Sequence, residues 1–122
     1  MGISVKSSGS QTATLDTEHT LLATTDPGVY VLSVDVSALA VNTASSQGHP
    51  EIVELRVKKK VRTGDTIRQV YFATLLGGAL VNPIIESPPI SAPFGATFTL
   101  KQITTTSGTG RAFPWSVEQL DA

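Results

Sequence analysis

The stretch EIVELRVKKKVRTGDTIRQVYFATLL, residues 51–76, decides the fold class of this chain. Apolar and charged side chains alternate along its first half, and apolar alternation resumes after the turn signal Thr63-Gly64-Asp65. An antiparallel pairing of the two halves gathers the apolar side chains on one face. The stretch therefore predicts a β-hairpin with one buried face and one face in solvent. The predicted pairs are Val53 with Leu75, Val57 with Tyr71 and Val61 with Ile67.

Composition and charge narrow the class of protein. A chain of 122 residues is the size of one domain, and only 16% of its residues are charged. The net charge of -1 argues against a nucleic-acid binder, which carries a strong basic excess. There is no cysteine, so disulfides and thiol catalysis are excluded. No apolar run is long enough to cross a bilayer and no signal-peptide core is visible, so we expect synthesis in the cytoplasm and no membrane association.

Turn signals divide the N-terminal half into further segments. The Thr/Ser-rich residues 1–14 are predicted to be a flexible arm, and Gln11 to Leu22 is predicted to contain one strand. Asp26-Pro27-Gly28 is a strong turn signal, and Val29 to Val36 alternates as a half-buried strand does. Residues 37–50 are predicted to be a long, polar, exposed connection.

Prolines and aromatic residues shape the C-terminal half. Residues 82–93 hold four prolines around short apolar runs, which predicts an edge strand or an extended polyproline segment. Phe94 to Leu100 and Phe113 to Val117 each place apolar side chains at alternate positions, and we expect them to form a second hairpin. Pro114 cannot donate to a sheet ladder, so its strand is expected to be an edge or to be bulged there.

These segments together predict an all-β protein. About six to eight strands with closely spaced turns favour an antiparallel β-sandwich, immunoglobulin-like or jelly-roll, over residues 15–122. The side chains predicted to face inward are Leu32, Val34, Leu55, Val57, Tyr71, Phe98, Leu100, Phe113 and Trp115.

A search for catalytic or metal-binding patterns favours a non-enzymatic protein without a cofactor. The two histidines, His19 and His49, fall in separate segments without a ligand spacing. Asp16 and Glu18 could bind a cation together with Asp26 or Asp35, but a solvated acidic face is the favoured interpretation. No nucleophile, base and orienting group can be assembled from the sequence.

The cationic residues of the hairpin form the candidate binding surface. They hold over half of the nine Lys and Arg residues. One interpretation is a solvent face charged against aggregation, and the other is a docking surface for an acidic protein partner. Nucleic acid is a weaker third interpretation because no aromatic residues interleave with the cationic ones. The candidate residues are Arg56, Lys58, Lys60, Arg62 and Arg68.

Several segments of the chain resemble a family of small proteins encoded in the structural modules of tailed bacteriophages and prophages. The resemblance runs from Asp26 to the C-terminus and implies a virion component of β-sandwich type with no enzymatic role. It implies the major capsid protein or another virion protein as partner, and it transfers no binding residue. The segments that carry it are Pro27–Leu39, Glu54–Val61, Ser87–Ile90, Phe98–Gln102 and Gly108–Trp115.

The hypothesis that follows is a head decoration or cement protein, present in the virion in many copies and forming a homo-oligomer. Two alternatives stay open. One is a tail, neck or baseplate component, which shares the same fold and composition. The other is a carbohydrate-binding module that attaches the particle to a host. This module needs exposed aromatic residues, and Trp115, Tyr30 and Tyr71 are all predicted to face inward.

Overall fold

The computed structural model describes residues 2–39, 52–76, 84–103 and 110–121, and these ranges contain nine β-strands and no helix. None of the described residues belongs to a helix that could cross a membrane. In chain order the strands are β1 (Gly2–Thr12), β2 (Glu18–Thr24), β3 (Gly28–Asp35), β4 (Ile52–Lys59), β5 (Arg68–Leu76), β6 (Ile84–Glu86), β7 (Ile90–Ala92), β8 (Ala96–Ile103) and β9 (Ala112–Asp121).

The strands form two antiparallel sheets that pack against each other. Sheet I has the order β1-β9-β3-β6, with β7 also paired to β3, and sheet II has the order β2-β8-β4-β5. The predicted all-β, antiparallel sandwich is therefore confirmed, but the predicted count of six to eight strands is too low, because the described residues hold nine. Strand neighbours are mostly distant in sequence, so the fold depends on non-local pairing.

The core lies between the sheets and follows from the alternation of the strands. In β3, Tyr30, Leu32 and Val34 are buried while the residues between them are half-buried. Tyr30 of sheet I meets Phe98 of sheet II edge to face, with ring centroids 5.9 Å apart. The predicted inward set lies in this core. Its fully buried members are Leu32, Val34, Leu55, Val57, Phe98, Leu100 and Phe113, and Tyr71 and Trp115 pack against them half-buried.

The hairpin predicted over residues 51–76 is present as β4 and β5. Val53 pairs with Leu75 and Val57 with Tyr71, as the alternation predicts. The third predicted pair is wrong, because β4 ends at Lys59 and Val61 is 78% exposed in the connection. A β-bulge shifts the register between Val57 and Lys58, so that Lys58 pairs with Gln69.

The N-terminal segment is a strand in the structure, where the sequence predicts a flexible arm. β1 pairs with β9 from Gly2 opposite Asp121 to Thr12 opposite Ala112. The single strand predicted from Gln11 to Leu22 is also wrong, because this range holds the end of β1, a turn and most of β2. Composition misses β1 because an edge strand keeps exposed serines on both sides.

The second predicted hairpin is wrong. β8 lies in sheet II between β2 and β4, whereas β9 lies in sheet I between β1 and β3. Alternation specifies which face of a strand is buried but not which sheet contains it, and both strands bury one face in the same core. β9 is thus an inner strand rather than an edge. It tolerates Pro114 because its ladder to β3 ends one residue away, at Trp115.

The proline-rich segment forms an interrupted edge strand, as predicted. β6 and β7 both pair with β3, and Ser87 lies between them. The Leu32 amide donates to Ser87 Oγ at 2.9 Å, and the Ser87 amide donates to the Leu32 carbonyl at 2.8 Å. Ser87 therefore completes the backbone pairing of β3 where the prolines interrupt it.

Some predictions fall outside the described residues. The connection predicted over residues 37–50 lies outside the described residues from residue 40 onward, and this part includes His49. Residues 104–109, between the two strands of the second predicted hairpin, also lie outside the described residues.

Candidate protein-binding surface

Arg56 lies on the outer face of sheet II and is held by three neighbours. Its guanidinium contacts Glu54 Oε1 at 3.0 Å and donates from Nε to Gln69 Oε1 at 3.1 Å. The same group lies over the ring of Phe72, 4.8 Å from its centroid. The Phe72 ring is in cation–π range and is partly covered by the arginine. The Arg56 side chain is therefore occupied by contacts within sheet II.

Lys58 is also paired on this outer face. Its Nζ lies 2.7 Å from Oε2 of Glu18, which belongs to β2 on the far side of β8. The hydrogen bond from Lys58 lowers the pKa of Glu18. In the register, Lys101 of β8 lies between Glu18 and Glu54. The outer face of sheet II therefore alternates in charge and is not a uniformly basic stripe.

Arg68 does not lie beside Arg56 and Lys58, where the sequence predicts it. The bulge at residue 70 changes which β5 residues share a face with the outer side of β4, so Arg68 pairs with Lys59. Lys59 faces sheet I, since its Nζ donates to the carbonyl of Ser91 at 2.5 Å. Arg68 is therefore directed to the end of the sandwich.

At this end, a polar groove of about 380 Å³ lies along the connection between β4 and β5. Lys59, Arg62 and Arg68 line it, together with Gly64 and Asp65. Arg62 is paired with Asp65 through two hydrogen bonds of 3.2 Å. The groove thus presents three cationic side chains and one carboxylate, which suits an acidic ligand group.

A second groove, of about 170 Å³, adjoins the first and shares Lys59 with it. Lys58 and Lys60 line it, and its floor is more apolar because Ile67 and Phe94 contribute to it. The two grooves together form a surface that we call the basic end. Its members are Lys58, Lys59, Lys60, Arg62 and Arg68, with the exposed apolar residues Val61, Ile67 and Phe94.

Charge at the basic end is not balanced locally. Its five cationic side chains face two paired carboxylates, Glu18 and Asp65, which leaves a net charge of +3. Within the part of the chain that the structure describes, Lys59, Lys60 and Arg68 have no ion-pair partner. Lys59 already donates to the Ser91 carbonyl, so Lys60 and Arg68 are the side chains available to an acidic partner.

The sequence identified four of the five cationic members of the basic end, and the structure brings those four together. Arg56 is the exception, because it lines neither groove. Sequence reasoning missed Lys59, Ile67 and Phe94. Lys59 stands in a run of three lysines, which was the one available signal. Phe94 could not be found, because it comes from the turn between β7 and β8.

The acidic residues considered for a cation serve other contacts. Asp35 accepts a hydrogen bond from the Ser37 amide at 2.9 Å. The hydrogen bonds from Ser37 lower the pKa of Asp35. Glu18 is paired with Lys58, and His19 accepts from the Thr14 amide at 2.9 Å. Among the described residues, no three His, Cys, Asp or Glu side chains come together in a way that could hold a metal ion.

Trp115, the residue a sugar-binding site would need, is half-buried on the core side of β9. Its indole covers Gly9 of β1, where an added Cβ would lie 3.5 Å from the ring. β1 therefore covers one face of this ring, which leaves at most one face for stacking on a sugar.

No model of a known protein family matches the chain, and no curated protein matches it. Function is therefore inferred from the basic end and from the fold that presents it.

Proposed function

We propose that this protein is a non-enzymatic structural component of a tailed-phage particle, acting as a head decoration or cement protein in many copies. Two things support the proposal. The segments from Asp26 onward resemble phage structural-module proteins, and the antiparallel sandwich is the fold that the resemblance implies.

The observation that carries the proposal is the basic end. It combines a net positive charge with exposed Val61 and Ile67 at one end of the sandwich. Such a surface fits an acidic protein surface with apolar side chains, because charge guides the approach and apolar contact holds the complex. In the proposal, this partner is the major capsid protein or another virion protein.

Many copies make a contact of this size effective. The basic end has few members compared with the roughly 20–30 residues a side of a stable protein interface, so a single contact is weak. Repetition of the contact at symmetry-related positions on a particle raises the overall affinity without any new interaction. Lys60 and Arg68 would attract an acidic partner at the protein surface, where added salt screens the attraction.

The test is binding of the purified protein to particles that lack it, measured over a range of salt concentrations. The variant Lys60→Gln/Arg68→Gln removes the two unpaired cations. At about 0.5–1 kcal/mol for each exposed contact, we expect binding to weaken about 5- to 30-fold at low salt. The salt dependence of binding should also become flatter, because fewer charges take part.

The matched control is Thr14→Glu/Ala38→Glu, which changes the net charge equally at exposed positions away from the basic end. The control should bind like the wild type. If Lys60→Gln/Arg68→Gln binds normally at every salt concentration, the basic end is not the docking surface. If both variants weaken equally, the effect is one of net charge and the assignment to this surface is wrong.

A further inference from the structure

β1 is a long strand at the edge of sheet I. It runs for 11 residues, and one of its edges pairs with β9 along the whole length. None of the described strands pairs with the opposite edge of β1. The backbone groups on such an edge are a template for a further β-strand.

β1 has a bulge between Val5 and Ser7 and one charged residue, Lys6, but its second half lacks the protection that the other edges of the sandwich have. β6 and β7 have three residues each and are separated by Ser87-Pro88-Pro89. β5 begins at Arg68 and is bulged, and β2 is bulged between Thr20 and Leu22. Short length, proline, charge and bulges are the devices that prevent edge pairing. In β1, residues 7–12 contain no charge, no proline and no bulge.

Apolar side chains extend to the edge of sheet I beside β1. On the outer face, Ile3 of β1, Leu120 of β9 and Val29 of β3 form one row across the register. Exposure is greatest at the edge, where Ile3 is 67% and its neighbour Val5 is 62% exposed. An additional strand beside β1 would cover both side chains and continue this row.

The charged groups near this edge already have partners. Lys6 contacts Asp26 at 2.5 Å, and this hydrogen bond raises the pKa of Lys6 and lowers that of Asp26. Glu118 of β9 accepts from Ser33 at 3.2 Å and lies near the Ser116 hydroxyl. Residues 7–12 of β1 carry no charge, so two identical strands that pair over this stretch avoid the repulsion of like charges.

We propose that β1 pairs antiparallel with β1 of a second copy of this chain, so that sheet I continues across a two-fold dimer. Antiparallel pairing of two identical strands has two-fold symmetry, and such a contact closes as a dimer. The protected edges at β5, β6 and β7 stop further strand addition. The contact does not use the basic end, so it stands or fails independently of the role in a phage particle.

Analytical ultracentrifugation over micromolar to millimolar concentrations tests the proposal. We expect a reversible monomer–dimer equilibrium for the wild type. The variant Ser8→Lys/Ser10→Lys places two charges at exposed positions of the uncharged stretch, opposite the same charges of the second copy. We expect its dimer dissociation constant to rise at least about tenfold, since like charges across a strand pair are destabilising.

The control Ala38→Lys/Thr63→Lys adds the same charge at exposed turn positions and should dimerise like the wild type. Amide hydrogen exchange on the wild type gives a second readout that needs no variant: dimerisation should protect amides within residues 7–12. A wild type that stays monomeric, a dimer that protects another segment, or a Lys variant that dimerises normally would each overturn the proposal.

Discussion

Two glycines share a left-handed backbone conformation, so a comparison of their alanine variants separates the cost of a steric clash from the cost of the backbone conformation. Gly95, in the turn between β7 and β8, has φ of 84°, and Gly64, in the connection between β4 and β5, has φ of 87°. A Cβ on Gly95 would lie 1.9 Å from the Thr24 carbonyl oxygen, whereas a Cβ on Gly64 would have nothing within 4 Å. Gly95→Ala and Gly64→Ala therefore carry the same energetic cost for the backbone conformation, but only Gly95→Ala also makes a steric clash with Thr24.

The expected magnitudes follow from these distances. An L-residue in the left-handed region costs about 1–2 kcal/mol, and alanine recovers about 0.4–1 kcal/mol by restricting the unfolded chain. Gly64→Ala should thus destabilise the protein by about 1 kcal/mol or less. In Gly95→Ala the backbone at Thr24 must also move, and overpacking of this kind adds about 1–3 kcal/mol. We therefore expect Gly95→Ala to be the less stable variant by about 2 kcal/mol.

Urea unfolding followed by the fluorescence of Trp115, the only tryptophan, measures both variants. In thermal unfolding, the same free-energy difference should give Gly95→Ala a Tm about 8 °C below that of Gly64→Ala, at about 4 °C per kcal/mol for a domain of this size. Gly110→Ala is a further comparison, because it would place a Cβ 2.2 Å from the Ala13 carbonyl oxygen without a left-handed backbone. Equal stabilities of Gly95→Ala and Gly64→Ala would refute the packing of the β7–β8 turn against the end of β2.

Three further predictions concern single side chains. Tyr30→Phe removes the hydroxyl that donates to the Asp26 carbonyl at 2.6 Å, and should lower the free energy of unfolding by about 1 kcal/mol; no loss would contradict that bond. Because Lys58 lowers the pKa of Glu18, this carboxylate stabilises the fold above its ordinary pKa of 4.5 and loses that contribution as the pH falls through the lowered value. Glu18→Gln should therefore flatten the acid side of the stability profile in urea titrations, and an unchanged profile would contradict the pairing. Acrylamide should quench Trp115 less than a free tryptophan analogue, and full quenching would revive a sugar-binding role.

Local alternation predicted which side chains are buried, and non-local pairing explains what it missed. Val53 and Val57 lie where the pattern of β4 places them, because a strand with one wet face has a period of two. Val61 continues this pattern, yet it lies beyond the end of β4. The sequence contains no signal for a bulge, and the bulge in β5 alters the register there.

Sheet membership could not be predicted for the same reason. Phe98 and Phe113 are both buried, as their alternation indicates, but they come from opposite sheets of one core. β1 was missed because its residues carry few apolar side chains, and its order comes from pairing with β9. These features depend on contacts between distant segments, which periodicity in one segment does not contain.

The sequence predicted most of the cationic residues of the candidate surface, but only part of their arrangement in space. Lys60 and Arg62 were identified from a charged strand, although both lie in the connection after β4. Arg56 was expected to bind a partner, but Glu54, Gln69 and Phe72 hold it. Whether a cationic side chain is available depends on carboxylates of neighbouring strands, and the sequence does not show which strands are neighbours.

The proposed place in a phage particle is tested most directly by quantitative mass spectrometry of purified virions with heads and tails separated. A decoration protein should be found with the heads, in copy numbers comparable to those of the capsid subunits. Recovery with the tails in a few copies would contradict the head assignment and favour a tail, neck or baseplate component. Absence from both fractions would contradict the virion role itself.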